Sequence, residues 1–432
     1  MIDVSLVFIA VAGIAFLGFT INALFSKLRI ANILPLMIIG LLAGPVLKLV
    51  NTGPQSVISE LTPFITAITI SFILFDVGMN LDMKKLSKIF MKATEFSFIV
   101  SILTGITLGF VVHDLIGWDL LESFIAGFAL ASPSSIIVPT IVRLIKAPDN
   151  LKTALIYESA ITDIISLIVP LVLFGFINSS GLMSTSYIGS FVFTTIVGAI
   201  FIGIISATFW LYILNRFKDY SEEYNWMLTT TMIIATYGVS SLLGLNEAIS
   251  VFVFGIAFAT LGAYEHGNNA QSKTQIGLFL NSFSIGSSSV DHIKSFQKEI
   301  VFFTGAFFFV YIGLLFNISQ LGTLIIMAAI VISFLMIPIR TAFIPLIKGF
   351  LSKDKEARKS EYSVISFDIS RGLSPAVIAT IPLTMGIIIP NFLNLIFLSI
   401  LFTNIISTMG IFLLYKPVDQ PPAAQSQNSP SK

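Results

Sequence analysis

Ala131-Ser132-Pro133-Ser134-Ser135-Ile136-Ile137 and Leu373-Ser374-Pro375-Ala376-Val377-Ile378 each set a Ser-Pro pair mid-way along a long apolar run, with a second proline following at Pro139 and Pro382. Proline removes a backbone donor and drives its predecessor out of the α region, so each run reads as a helix broken near 131–135 or near 372–376. A weaker echo joins Phe75-Asp76-Val77-Gly78 to Val310-Tyr311-Ile312-Gly313. Matched breaks in the two halves of a chain imply an internal repeat. In membrane transporters, paired interrupted helices expose carbonyls and helix ends at the midplane, where substrate sites lie.

A bilayer is the only solvent that suits the rest of the chain. It is 55% hydrophobic and 11% charged over 432 residues, with a mean hydropathy of +0.94, far too apolar for an ordinary soluble surface. Apolar stretches long enough to cross roughly 30 Å of hydrocarbon fall near 3–25, 31–50, 58–80, 93–113, 120–143, 152–177, 187–214, 225–243, 246–263, 300–316, 320–345, 362–388 and 391–414. The expected fold is therefore an all-α polytopic membrane protein of about thirteen transmembrane helices. The first run lacks the basic leader and small-residue cleavage site of a secretory signal and reads as a retained helix.

Lysine and arginine sort onto alternate loops, which fixes orientation because positive residues stay on the cytoplasmic side. Lys27 and Arg29, Lys84 to Lys92, Arg143 to Lys152, Arg216 and Lys218, Lys273 to Lys298, and Lys348 to Lys359 share one side, against only Lys48 on the other. The N-terminus is expected outside, and residues 415–432 form a disordered cytoplasmic tail too polar to fold alone. Within the long loop 264–298, the run 276–283 reads as an interfacial helix. The spans divide into repeat one (about 3–177), a linker helix (about 187–214) and repeat two (about 225–414), all within a transmembrane domain covering 1–414. Seven spans precede the second repeat, so the two six-helix repeats are inverted and their broken helices should cross.

Composition also excludes several functions. The net charge of +1 offers nothing to nucleic acid, there is no cysteine for disulfides or thiolate metal sites, and the three histidines have no ligand-spaced partners. No cofactor is expected. An intramembrane enzyme would need a nucleophile with a base, and none is found.

Charges inside spans cost about 2.5–3.5 kcal/mol each at a helix centre and persist mainly for function. They are Asp76, Glu158, Asp163, Arg340, Asp368 and Arg371. In Tyr157-Glu158-Ser159-Ala160-Ile161-Thr162-Asp163, Ser159 and Asp163 are four apart and share a helix face, while Glu158 lies about 140° around from Asp163. Asp163, Ser159 and Thr162 thus offer hard oxygen ligands for a small cation, and Glu158 points toward another partner. The same carboxylate oxygens cannot hold a proton and a cation together, and that competition would couple two fluxes. Asp368 and Arg371, three apart, read as a self-neutralising pair on one helix that supports, with Pro133 and Pro375, the broken segments.

These motifs resemble the sodium/hydrogen exchangers of the monovalent cation/proton antiporter superfamily. The resemblance rests on Glu158-Ser159 with Asp163, on Leu74-Phe75-Asp76-Val77-Gly78, on Pro35, Gly40 and Gly44-Pro45, and on Arg371-Gly372, and it runs from Ile2 to Tyr415. It implies that Asp163 binds the ion and the proton, that Ser159 is a further ligand, and that Glu158 is a structural acid paired with Arg340. It also implies a homodimer in the cell (inner or plasma) membrane, with a core domain that moves like an elevator. Na+ is the expected partner, with Li+ or K+ as alternatives, and H+ is the counter-ion.

Two departures stand out. Where the family usually reads Thr-Asp-Pro this chain has Ala131-Ser132-Pro133, and where the family reads Asn-Asp or Asp-Asp it has Thr162-Asp163. Ser132 still supplies an oxygen, and Asp76 stands where many relatives place a glutamate. With one titrating ligand and no Lys or Arg between Val301 and Phe316, exchange is expected to be electroneutral. Two other readings share the scaffold: a non-transporting ion sensor or regulator, and a symporter for small organic anions, which should show an intramembrane cationic cluster or polar crossover for the anion, whereas the two buried arginines here each have a nearby acidic candidate partner.

Overall fold

The computed structural model describes residues 12–13, 16, 18–20, 33–50, 56–80, 88–145, 148–178, 185–217, 225–263, 285–351 and 355–414. Among these the chain is entirely helical apart from turns and irregular connections, with no strand. Most of the expected first span, the 276–283 segment and the 415–432 tail lie outside the described residues.

The other expected spans coincide with helical segments. They are α1 (Ile33–Leu41, carried on by one π turn, Leu42–Val46), α2 (Val57–Asn80), α3 (Lys88–Ile116), α4 (Leu120–Ala129) with α5 (Ile137–Leu144), α6 (Asp149–Asn178) and α7 (Thr185–Arg216). There follow α8 (Asn225–Leu242), α9 (Glu247–Gly262), α10 (Ser287–Leu315), α11 (Thr323–Phe343, tightening into a 3-10 stretch, Ile344–Phe350), α12 (Lys355–Phe367) with α13 (Leu373–Met385), and α14 (Phe392–Leu414). Seven segments among the described residues are long and apolar enough to cross a membrane by length and composition, and α1, α4, α9 and α13 are shorter apolar helices. The large apolar side chains left exposed, such as Phe64, Phe201, Phe209 and Phe334, face the surroundings that a bilayer would fill.

The two expected breaks are present. Residues 130–136 separate α4 from α5, and residues 368–372 separate α12 from α13. They are not equivalent in detail. Pro133 lies inside the first break, whereas Pro375 lies in the first turn of α13, where a helix has no use for the missing N–H. The second interruption is thus displaced toward the N-terminus of the expected 372–376.

The breaks meet in space. The backbone N–H of Ser134 donates to the carbonyl of Ser370 at 2.8 Å, so each irregular strip satisfies a group that the other leaves free. Gly372 makes the approach possible: a Cβ there would run into the Ser134 side chain.

Elsewhere, backbones touch where glycines oppose each other. Gly78 of α2 packs on Gly255 of α9, and Gly40 of α1 packs on Gly313 of α10; a Cβ on any of the four would collide with the facing backbone. The weak echo between Asp76-Val77-Gly78 and Tyr311-Ile312-Gly313 falls on these two crossings, each of which joins a helix of the first half to one of the second.

Candidate functional site

Asp163 sits mid-way along α6, 4% exposed, beneath the meeting point of the two breaks. Ser132 Oγ donates to its Oδ1 at 2.9 Å, Ser374 Oγ donates to the same oxygen at 2.9 Å, and the Ser135 N–H donates to Oδ2 at 3.1 Å. One carboxylate is therefore gripped by the first break and by the start of α13 at once. The reason is local: a broken helix leaves N–H groups unspent, and serine beside proline supplies a short hydroxyl at the same depth.

The candidate residues do not all converge. Thr162 donates to the Glu158 carbonyl at 2.9 Å and lies 2.9 Å from Ser132 Oγ, so it steadies Ser132 rather than touching the carboxylate. The Ser159 hydroxyl turns back along its own helix to the Ile156 carbonyl at 3.0 Å and is not among the groups bonded to Asp163. Helical hydroxyls commonly take this route. Ser374 occupies the position expected of Ser159. Its signal was present in the matched Ser-Pro pairs, but pattern alone does not tell that the two serines reach one oxygen.

Asp76, on α2, accepts a hydrogen bond from Asn80 Nδ2 at 3.0 Å and lines the same cavity as Asp163. That cavity measures about 520 Å³ and opens between α1, α2 and α10 on one side and the first break, α5, α6 and α13 on the other. Arg143 and Lys298 also line it, and both are exposed. Toward the opposite end of α2 there is closure instead: Thr66 meets Thr380 of α13 at 2.9 Å and Thr62 meets Tyr311 of α10 at 2.5 Å.

Glu158 and Arg340 form a bidentate pair, Nη1 to Oε1 at 2.6 Å and Nη2 to Oε2 at 3.0 Å, with both side chains buried. The same guanidinium donates from Nε to the Ile365 carbonyl at 3.0 Å and reaches Asp368 Oδ2 at 3.4 Å. Here the expected Asp368–Arg371 pairing needs correction. Residues 368–372 are not helical, so a three-residue spacing no longer brings the two side chains together, and Asp368 turns to Arg340. Arg371 donates to Met336 Sδ at 3.1 Å, while its carbonyl accepts from Asn404 Nδ2 at 2.7 Å. Asn404, which anchors the second break to α14, carries no sequence signal beyond a polar residue in an apolar span. Among the described residues no group of three or more His, Cys, Asp or Glu could hold a metal ion.

The sequence model of the family described as "sodium/hydrogen exchanger, transmembrane" matches residues 12–416. The chain belongs to the sodium/hydrogen exchanger family. Membership makes it a multi-pass membrane protein of a family of transporters rather than enzymes, and cation/proton exchange is the activity the family supports. Two solved structures of the sodium proton antiporter MjNhaP1 from Methanocaldococcus jannaschii share the exchanger fold. One, described at pH 8, has a TM-score of 0.67 at 18% identity, over 95% of this chain and 99% of that one. The other, from an electron-microscopy map, has a TM-score of 0.69 at 18% identity, over 96% and 100%. No curated protein matches the chain.

Proposed function

We propose that this chain is a secondary active transporter that exchanges one monovalent cation, Na+ foremost and Li+ or K+ as alternatives, for one proton by alternating access at Asp163. The observation that carries the reading is the convergence of the first break and the start of α13 on that carboxylate. Ser132 and Ser374 donate to the Asp163 carboxylate; rotated, the same hydroxyls turn lone pairs toward a small cation and serve as ligands. A proton on Asp163 removes the charge the cation needs, so the two ligands exclude each other.

Alternating access is supported by the asymmetry along α2. A cavity reaches Asp163 on one side, and the Thr66–Thr380 contact seals the other. Arg143 and Lys298 at the open side accord with a cytoplasmic mouth, which leaves the N-terminus outside and the tail inside. Two inverted repeats joined by α7 would relate the Gly40–Gly313 and Gly78–Gly255 crossings, and a homodimer in the cell membrane completes the reading by family resemblance. Glu158 and Arg340 are structural in this scheme.

The test is Asp163→Asn in everted vesicles, with Na+, Li+ and K+ each supplied in turn. Exchange should be lost for all three while the protein accumulates and stays folded. Robust residual antiport would falsify the assignment.

A further inference from the structure

Arg371 is a buried charge with no part in the scheme for Asp163. It is 1% exposed; among the described residues its Nε and Nη1 have no hydrogen-bond partner, and Nη2 meets only the thioether of Met336, at 3.1 Å. Arg340, in contrast, spends its donors on Glu158, Asp368 and the Ile365 carbonyl. A buried guanidinium with unspent donors is costly to keep and calls for an explanation. Its electrostatic surroundings supply one: the charges it faces are those of Arg340, Asp368, Glu158 and Asp163. The backbone holds it there, since Ser370 on one side is bonded to Ser134 of the first break and Ser374 on the other to Asp163.

Three carboxylates and two guanidinium groups make up this buried cluster, so with every member ionised it carries one negative charge. Arg340 and Arg371 together offset Glu158 and Asp368. What is left over is the charge of Asp163, and it is balanced by one monovalent cation or by one proton.

We propose that Arg371 is a positioning residue that acts by charge rather than by contact: its fixed positive charge limits how tightly the Asp163 site holds a cation, and so lets the bound ion leave. This rests on the reading of Asp163 as the ion site. Because two of its three guanidinium nitrogens are without a partner among the described residues, the planar fork of arginine has no role that lysine could not fill here, which is unusual for a buried arginine.

The experiment is the Na+ dependence of exchange in proteoliposomes. Arg371→Gln should lower both KM for Na+ and kcat, each on the order of tenfold, since a more negative site binds better and releases more slowly. Arg371→Lys should restore both constants toward the wild type. Should Arg371→Gln fail to accumulate, Met336→Glu decides the matter: it sets a carboxylate against Arg371, cancels its charge, and should also lower KM and kcat, whereas Met336→Leu should leave them unchanged. A KM that is unchanged or raised in Arg371→Gln, or in Met336→Glu, overturns the proposal, because a purely structural role would loosen the site. Asp163→Asn run in parallel separates the two readings. Residual exchange there brings down the ion site itself, while an inactive Asp163→Asn beside an unaltered KM in the Arg371 and Met336 variants brings down only this inference.

Discussion

At the scale of single residues, the serines decide what Asp163 can do. Where the resemblance implies an acid this chain has Ser132, whose hydroxyl keeps an oxygen 2.9 Å from the Asp163 carboxylate without a second negative charge. Ser374 contributes an equal hydroxyl from the first turn of α13. Ser132→Ala and Ser374→Ala should therefore each raise KM for the cation by roughly five- to tenfold, the equivalent of about 1–1.5 kcal/mol for one lost polar contact, with kcat little altered. Ser159→Ala should stay near wild type, because its hydroxyl is committed to the Ile156 carbonyl. Initial rates over a Na+ series measure all three; a Ser159→Ala defect larger than that of Ser374→Ala would return Ser159 to the ligand set. The motif made Asp163 legible and Ser374 nearly so. Ser159 misled because helical spacing reports a shared face and not where a rotamer sends its proton.

Among elements, the tie between α6 and α11 matters most. The Arg340 guanidinium links Glu158 on α6, the Ile365 carbonyl in the last turn of α12, and Asp368 in the second break. Removing either member of the bidentate pair strands a buried charge, which costs about 3–5 kcal/mol. Glu158→Ala and Arg340→Ala should each lower the melting temperature in detergent markedly, and the double variant should lose less than the two single losses added together, because Glu158 is then no longer stranded without its partner. Simple additivity would show that the pair is not coupled. The pairing itself was readable from family resemblance. The turn of Asp368 away from Arg371 was not, since it depends on the chain leaving the helix at residue 368.

For the whole molecule, topology and charge movement are the measurable consequences. The proposed orientation would put Lys359 inside and Ile388, 87% exposed between α13 and α14, outside. The chain has no cysteine, so single cysteines at these two positions should react with a membrane-impermeant maleimide from opposite faces, and labelling of both from one face would defeat the orientation. One leftover charge in the buried cluster further predicts that each cation entering displaces one proton, so exchange should not respond to membrane potential. In proteoliposomes clamped with K+ and valinomycin, with K+ first shown not to be transported, rates should be equal at zero and negative potential. Asp76 lies in the same cavity as Asp163, and a clear acceleration by voltage would point to it as a second titrating site, with Asp76→Asn as the check.

Apolar periods, proline positions and the alternation of basic loops were enough, by themselves, to determine a polytopic helical bundle with two interrupted spans. They are local quantities, set by backbone chemistry and by what a bilayer admits. The tertiary structure alone decided which groups the breaks bring together: that Ser134 meets Ser370, that three donors from two distant segments close on one carboxylate, and that Arg371 is left with donors unspent. Such contacts depend on how helices far apart in sequence cross, on glycines that let backbones touch and on where each chain departs from helical geometry, and no local period encodes these.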